Sequence, residues 1–530
     1  MDAEKTTTSD VVIIGGGLAG LTAALHLAER GLHPLVLEAD PEHAGGRLKA
    51  GEDVVFEHRE QTWRFATEHG MHGIWSSYRN LQAMWVRHTI RPVLVPAQEE
   101  TWVYGTHHQI RKAPIGSAIR NSWIPAPFHY LGLLARWRFW AMLTPLDVLS
   151  MLPVLVTLLA ALSIDPLGED QPLHGLTLHE VCKGWSHRMK SLFIGLSRNG
   201  LPANPDQIPA SGFFAFLRFY TLRRRDAWAF SYLPNESPTS VIMPLLRVIN
   251  DLGGEIRVGA KVTQLARSAG GWRIAIEGNG RATPAIVEAP DVIIATDAPA
   301  TEALLRAGQD TQDLAGQLRL PAAWASAVVR VWFDRQPQRG AEAGMFSGAF
   351  ALDNFFWLDR IYTDYIRFRR ETGGSAVEAH IYGPPELLAQ PDAALLAHAL
   401  SEITRTWPEL RGHVIQSVLR RNPETHTLLR AGRPEDHLGI ETPWPGVFCC
   451  GDWVRDPHPA MFMERACVTG IKAANAVLDA RGLAPWPLLG LPRPEPLAWA
   501  VELAMRQARR ALRTRARKKR KRDPIFNPSL

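Results

Sequence analysis

Hydrophobic positions in this chain fall into three patterns. The first is a set of short, uninterrupted apolar runs: Val11-Val12-Ile13-Ile14, Leu35-Val36-Leu37, Val292-Ile293-Ile294 and Val447-Phe448-Cys449-Cys450. Runs of this length, bounded by glycine or charge, read as strands of a parallel sheet buried on both faces. Between the first two, residues 21–30 carry apolar positions at helical spacing, so a strand–turn–helix–strand unit is predicted. Ile256 and its neighbours, then 272–276, add further strands. The second pattern, 326–430, mixes strand and helix periods and is rich in aromatics, among them Phe355-Phe356-Trp357 and Tyr362. The third is 130–164, the most apolar part of the chain, with no charged residue between 148 and 164. The uncharged run is slightly short for a membrane span, and Pro145 and Pro153 are expected to break it. It therefore predicts helical segments that dip into one leaflet or line a greasy channel, with a buried pair of core helices as the alternative.

The first turn carries chemistry. Gly15, Gly17 and Gly20 follow the strand with G-x-G-x-x-G spacing, and the second strand ends at Glu38. In this context the first glycine permits a tight turn, the second admits a pyrophosphate to the backbone at the helix N-terminus, and the third lets helix pack on strand. Glu38 is placed to accept ribose hydroxyls. The pattern predicts a bound dinucleotide without saying which. No second such motif stands in a strand–helix context, so NAD(P)H is not expected to bind through a Rossmann unit of its own. Gly45-Gly46-Arg47 reads as a loop able to approach phosphates and bring a charge, although an ordinary surface turn has the same composition.

Charge changes the picture at one end only. The net charge of +6 conceals eleven Lys or Arg between 506 and 522 with no acid among them; the rest holds 48 basic against 53 acidic residues. Residues 495–522 read as a basic amphipathic helix with Leu497, Val501, Ala504, Ala508, Ala511 and Leu512 on one face, suited to an anionic membrane surface. A nucleic-acid partner is not expected, because no nucleic-acid-binding fold accompanies the tail. The four cysteines form no C-x-x-C pair, which favours a reducing compartment and argues against structural zinc. The polar N-terminus lacks the basic flank and apolar core of a secretory signal. No Ser-His-Asp set or metal cluster emerges, and His69 and His72 are the candidate proton-moving residues.

Three separated segments together resemble one family. They are the glycine turn with Glu38, the Gly45-Gly46-Arg47 loop, and Gly451-Asp452-Trp453-Val454 followed by Met463-Glu464-Arg465-Ala466 and Thr469-Gly470. The set is similar to the FAD-dependent amine oxidase and phytoene desaturase superfamily. The Gly-Asp-Trp-Val ending and Glu68-His69-Gly70-Met71-His72-Gly73 resemble its carotenoid desaturase branch, nearest the isorenieratene synthase type. The resemblance implies an α/β protein: a Rossmann-like FAD-binding domain (1–95, 236–325 and 431–480) interleaved with an α+β substrate domain (96–235 and 326–430) that bears the apolar region 130–164, and a basic tail, 481–530. It implies that Gly15, Gly17 and Gly20 hold the pyrophosphate and Glu38 the ribose. Gly46 and Arg47 would meet the pyrophosphate and the flavin edge, the Val262 backbone the adenine, Asp452 the ribityl chain or pyrophosphate, and Met463 the pyrimidine end of the flavin. The implied activity is FAD-dependent desaturation of a carotenoid, with conversion of a β-ring to an aromatic ring by methyl migration as its finer form. A linear carotene or isoprenoid desaturase or isomerase, and a flavin amine oxidase, stay open. A lipophilic substrate, a quinone or other membrane electron acceptor, and peripheral attachment on the cytoplasmic side of a membrane complete the expectation.

Overall fold

The computed structural model describes residues 7–522 except 107, 169, 199–200, 202, 278–284 and 339; the tail beyond 522 and the side chains of 513 and 515–522 lie outside the described residues. Val11–Ile14 forms the middle of a five-stranded parallel sheet ordered Glu255–Arg257, Pro34–Leu37, Val11–Ile14, Asp291–Ile294, Val447–Cys449. Its apolar runs are continuous because both faces are covered. Val11, Ile13 and Val36 pack on the helix side, while Val12, Ile14, Leu35 and Ile294 pack with Trp272 and Ile274 of a four-stranded sheet.

The helix after the glycine turn spans Leu18–Ala28, three residues earlier than the apolar spacing indicates, because Gly17 itself is the N-cap. It packs against Phe462–Ala480, and the contact is close: a Cβ on Gly470 would stand 2.5 Å from the Ala19 carbonyl oxygen. Glu464 and Arg465 are both buried here. Glu464 accepts hydrogen bonds from the backbone N–H groups of Asn80 and Leu81, both at 3.0 Å, and from the Asn80 amide at 2.9 Å. It thereby caps the neighbouring helix Arg79–Arg87, which has no side-chain cap of its own. Arg465 donates to the carbonyl oxygens of Val454, Asp456 and His458 and so fixes the loop after Asp452.

A seven-stranded mixed sheet stands apart from the first, ordered Val414–Thr427, Ala323–Phe333, Ser375–Ile381, Asn354–Trp357, Ala343–Gly348, Glu100–Gly105, Ile110–Pro114. One face, including Val329, Val331, Val377 and Ala379, packs on Leu395, Ala399 and Ile403 of the helix Asp392–Thr406. The alternate residues, Arg330, Glu378 and His380, lie on the opposite face and are also buried.

The apolar stretch differs from its sequence reading. Pro145–Ser163 is one 19-residue helix, unbroken at either proline. Pro145 occupies the first turn, where no N–H is needed, behind a Thr144–Asp147 capping box. Pro153 is accommodated inside the helix. By length and composition, with mean hydropathy 2.1, this helix can cross a membrane, and only a third of it is buried. Leu149 is 75 % exposed and Leu152 68 %.

The C-terminal helix Pro496–Arg522 packs on this one, though not by the expected face. Ala498 and Glu502 are buried, whereas Leu497, Ala504, Ala508, Ala511 and Leu512 are exposed; of the expected face only Val501 is partly covered. The cause is electrostatic. The Arg218 guanidinium is buried and needs a counter-ion, and Glu502 supplies it at 3.2 Å, with Arg223 at 3.3 Å and Arg506 at 2.6 Å. Rotating that carboxylate inward turns the apolar stripe outward.

Candidate functional site

Where the two large sheets approach, a cavity of about 1020 Å³ runs between them. That is the upper end of the ~300–1,000 Å³ typical of small-molecule sites, as a dinucleotide with a second molecule requires. Gly15, Gly17, Glu38, Gly46, Arg47, Val262, Asp452, Met463, His69 and His72 all line it. Gly20 lies behind the wall, where a Cβ would fall 2.1 Å from the Gly15 carbonyl oxygen.

The cradle is built from backbone. Gly15 holds φ +107°, a conformation that strains any residue with a Cβ. Gly17 faces open space: a methyl group added there would meet nothing nearer than Gly46 Cα, at 3.9 Å. Glu38 Oε2 accepts from the Gly16 N–H at 2.8 Å, and Oε1 from the Asp40 N–H at 2.9 Å. Each carboxylate oxygen keeps a second lone pair. Glu38 is thus held by the turn while retaining capacity for a diol. Arg47 and Asp452, 405 positions apart, form an ion pair at the wall.

Beyond Arg47 the wall changes character. His69 is half-buried with its Nε2 shielded, and desolvation, with the Arg47 charge beside it, drives its pKa well below the usual histidine value. The same two causes take His426 to about 3. Both rings are therefore neutral at physiological pH, and His69 Nε2 and His426 Nδ1 are buried without a partner among the described residues. His72 Nδ1 is 3.0 Å from the Ser237 hydroxyl and 3.4 Å from Glu68. Further in, the chamber is aromatic, lined by Trp75, Phe216, Tyr220, Phe230, Phe356 and Tyr382. Tyr220 stands on a π-helical turn, Arg218–Leu222. Phe462, at the start of the helix Phe462–Ala480, takes φ +56°, a strained conformation of the kind found at ligand clamps. The residue before it, Met461, gives that helix no side-chain cap, so its first N–H groups add positive potential beside Met463.

This arrangement fits an elongated dinucleotide. The bare glycine backbone, the free acceptor capacity of Glu38, the Arg47 cation and the unpartnered imidazole nitrogens succeed one another along a single cavity. The family model for flavin-containing amine oxidoreductases matches residues 18–478. The chain belongs to that family. As a flavin-containing amine oxidoreductase it is an oxidoreductase whose cofactor is FAD. It is 27 % identical over 503 residues to the carotenoid phi-ring synthase of Streptomyces griseus, covering 91 % of this chain and 90 % of that protein. To the 15-cis-phytoene desaturase of Glycine max it is 23 % identical, covering 89 % and 79 %. Among solved structures, cyclohexylamine oxidase from Brevibacterium oxydans matches with a TM-score of 0.61 at 14 % identity, covering 89 % of this chain and 99 % of that one, which shows a shared fold.

The sequence reading named ten of the residues that line this cavity but missed others. His380, Tyr382, His426, Tyr220 and Phe462 also line the cavity. A signal for the first two was present: in Val377-Glu378-Ala379-His380-Ile381-Tyr382 polar and apolar residues alternate strictly, which on a strand sets Glu, His and Tyr on one face.

Proposed function

We propose that this flavin oxidoreductase desaturates a carotenoid and, in the finer form, converts a β-ring into an aromatic ring with migration of a methyl group. The observation that carries the reading is the continuity of the cavity, from a glycine cradle into an aromatic chamber, in a chain that resembles a carotenoid phi-ring synthase over nine-tenths of its length. FAD, when bound, supplies the two-electron acceptor that desaturation needs. Gly15, Gly17 and Gly20 would hold its pyrophosphate, Glu38 its ribose, Val262 its adenine, and Gly46, Arg47, Asp452 and Met463 the remainder. The nucleotide part would comprise 1–95, 236–325 and 431–480, and the substrate part 96–235 and 326–430. The chamber's aromatic wall would orient a conjugated chain and exclude water. His69 and His72 would serve at the chamber wall, His69 as a neutral hydrogen-bonding group.

The outer surface supports peripheral attachment to a membrane. The outward face of Pro145–Ser163, Trp137 at 73 % exposure and the exposed apolar stripe of the tail helix lie beside basic side chains, as an anionic interface favours. A lipid-dissolved substrate would come in from that side, and a quinone or other membrane acceptor would remove the electrons.

The test is co-expression in a carotenoid-producing bacterium, with pigments read by mass and absorption. Loss of hydrogens with a shifted band is expected. An unchanged pigment set, from protein that carries FAD, would refute the reading. A mass loss confined to an acyclic carotene would retain desaturation and remove the ring chemistry.

A further inference from the structure

On the face of the strand Ser375–Ile381 that turns toward the cavity, Glu378 and His380 are joined by Tyr382, just past its end. Glu378 accepts from Arg330 Nε at 2.6 Å and from the Met71 N–H at 2.7 Å. Arg330 is itself fixed by the Ala66 carbonyl at 2.7 Å and the Tyr365 hydroxyl at 2.9 Å. Burial would raise the Glu378 pKa, but Arg330 and His380 overcome it and hold the carboxyl at about 2. Glu378 is therefore an acceptor only. Its Oε1 lies 2.7 Å from His380 Nε2, so in the neutral form of the imidazole the proton sits there. Nδ1 is left as the acceptor, 2.8 Å from the Tyr382 hydroxyl. Tyr382 must then donate inward, to His380. Burial, with the Asp353 and Glu378 carboxylates, raises the Tyr382 pKa against a hydrogen bond from Asn354, so the hydroxyl keeps its proton until His380 takes it. The ring lines the cavity and stands edge-on to His426, which is edge-on in turn to Phe462.

We propose that Tyr382, backed by His380 and Glu378, is the proton acceptor of the desaturation; this rests on the desaturase reading above. Desaturation breaks two C–H bonds on adjacent carbons and forms one C=C bond. One hydrogen leaves as hydride, for which FAD is the oxidant. The other leaves as a proton to the Tyr382 oxygen, while the Tyr382 proton passes to His380 Nδ1. The resulting imidazolium is stabilised by the Glu378 carboxylate, which keeps its charge, as in a hydrolase triad with tyrosine in the outer place. Tyr382 is the catalytic residue in this scheme. His380 and Glu378 are positioning residues.

The test uses the FAD-loaded enzyme and Tyr382→Phe, which deletes one oxygen. Loss of a general base lowers kcat about 10²–10⁴-fold. The KM for the carotene and the affinity for FAD, read by flavin fluorescence, are expected to stay at their wild-type values. Independently of turnover, ¹⁵N-histidine NMR of the wild type, assigned by loss of one signal in His380→Gln, should show His380 as the Nε2–H tautomer. A His380 protonated on Nδ1 would overturn the relay even if Tyr382→Phe failed to fold. A Tyr382→Phe enzyme with wild-type kcat, beside an active wild type, would overturn the relay alone. A wild type that leaves every carotene intact would overturn the desaturase reading and the relay with it.

Discussion

Glu38→Gln isolates what one side chain contributes to cofactor binding. Its two carboxylate oxygens each hold a backbone N–H, from Gly16 at 2.8 Å and Asp40 at 2.9 Å, and each has one acceptor site left over. An amide can satisfy only one of those donors; the other would face an NH₂ group. That mismatch costs about 1–3 kcal/mol in the free protein, the usual penalty for a desolvated donor left unpaired. Binding suffers separately. Hydrogen bonds to a charged acceptor contribute about 1.5–3 kcal/mol each and neutral ones about 0.5–1.5, so a ribose diol loses roughly 1–3 kcal/mol in all. The FAD Kd should rise about 10- to 100-fold. Calorimetric titration of apo protein with FAD measures this term, and thermal unfolding of the apo form measures the first. At fixed FAD the stabilisation by ligand falls by about 1.4–2.7 kcal/mol. A variant whose apo form is destabilised but whose FAD Kd equals that of the wild type would refute the argument and leave Glu38 as a clasp for the turn.

Three further outcomes are expected. Gly470→Val drives side-chain atoms into the Ala19 carbonyl, 2.5 Å from the Cβ position, and should lower stability by about 1–3 kcal/mol in urea unfolding; an unchanged midpoint would mean that the two helices separate freely. Glu236 is pushed by burial, against the attraction of Arg330, from 4.5 to about 7, so its native form holds the proton more tightly than the unfolded chain does. This group should therefore cost stability as pH rises from about 4.5 to about 7, by about 3 kcal/mol at most, and Glu236→Gln should remove that share of the slope in urea titrations at several pH values, leaving the part due to Glu100 and Asp359. Leu149→Glu with Leu152→Glu should leave the fold intact and reduce co-sedimentation with anionic vesicles, since each leucine offers about 1.5–3 kcal/mol on burial. Deleting the tail helix is the weaker experiment, because it strips Glu502 from the buried Arg218.

The glycine turn was legible because parallel strands buried on both faces leave a one-dimensional mark; Arg47 and Asp452 were each named from their motifs, but their ion pair was not. The Glu378–His380–Tyr382 face was harder to see. Its residues mean little until Arg330, from a neighbouring strand, makes the buried carboxylate tolerable. Pro145 misled for a definable reason: a proline rule applied to sequence cannot tell the first turn of a helix from its interior; the accommodation of Pro153 has no such account. The tail misled through Glu502, a single acid in a basic helix, two of whose partners, Arg218 and Arg223, lie more than 270 positions away in sequence. The helix obeys that ion pair over its own apolar stripe.

The five-stranded sheet has a consequence for how the chain is made. Its strands are supplied at 11–14, 34–37, 255–257, 291–294 and 447–449, so the strand that carries the glycine turn gains its second neighbour, 291–294, nearly 280 residues after itself. On the ribosome the turn emerges first and waits. Asp452 and the helix that packs on Ala19 follow it by more than 400 residues. The two sides of the nucleotide cradle are thus written far apart in time, and a nascent chain that stops short of Asp452 has only one of them.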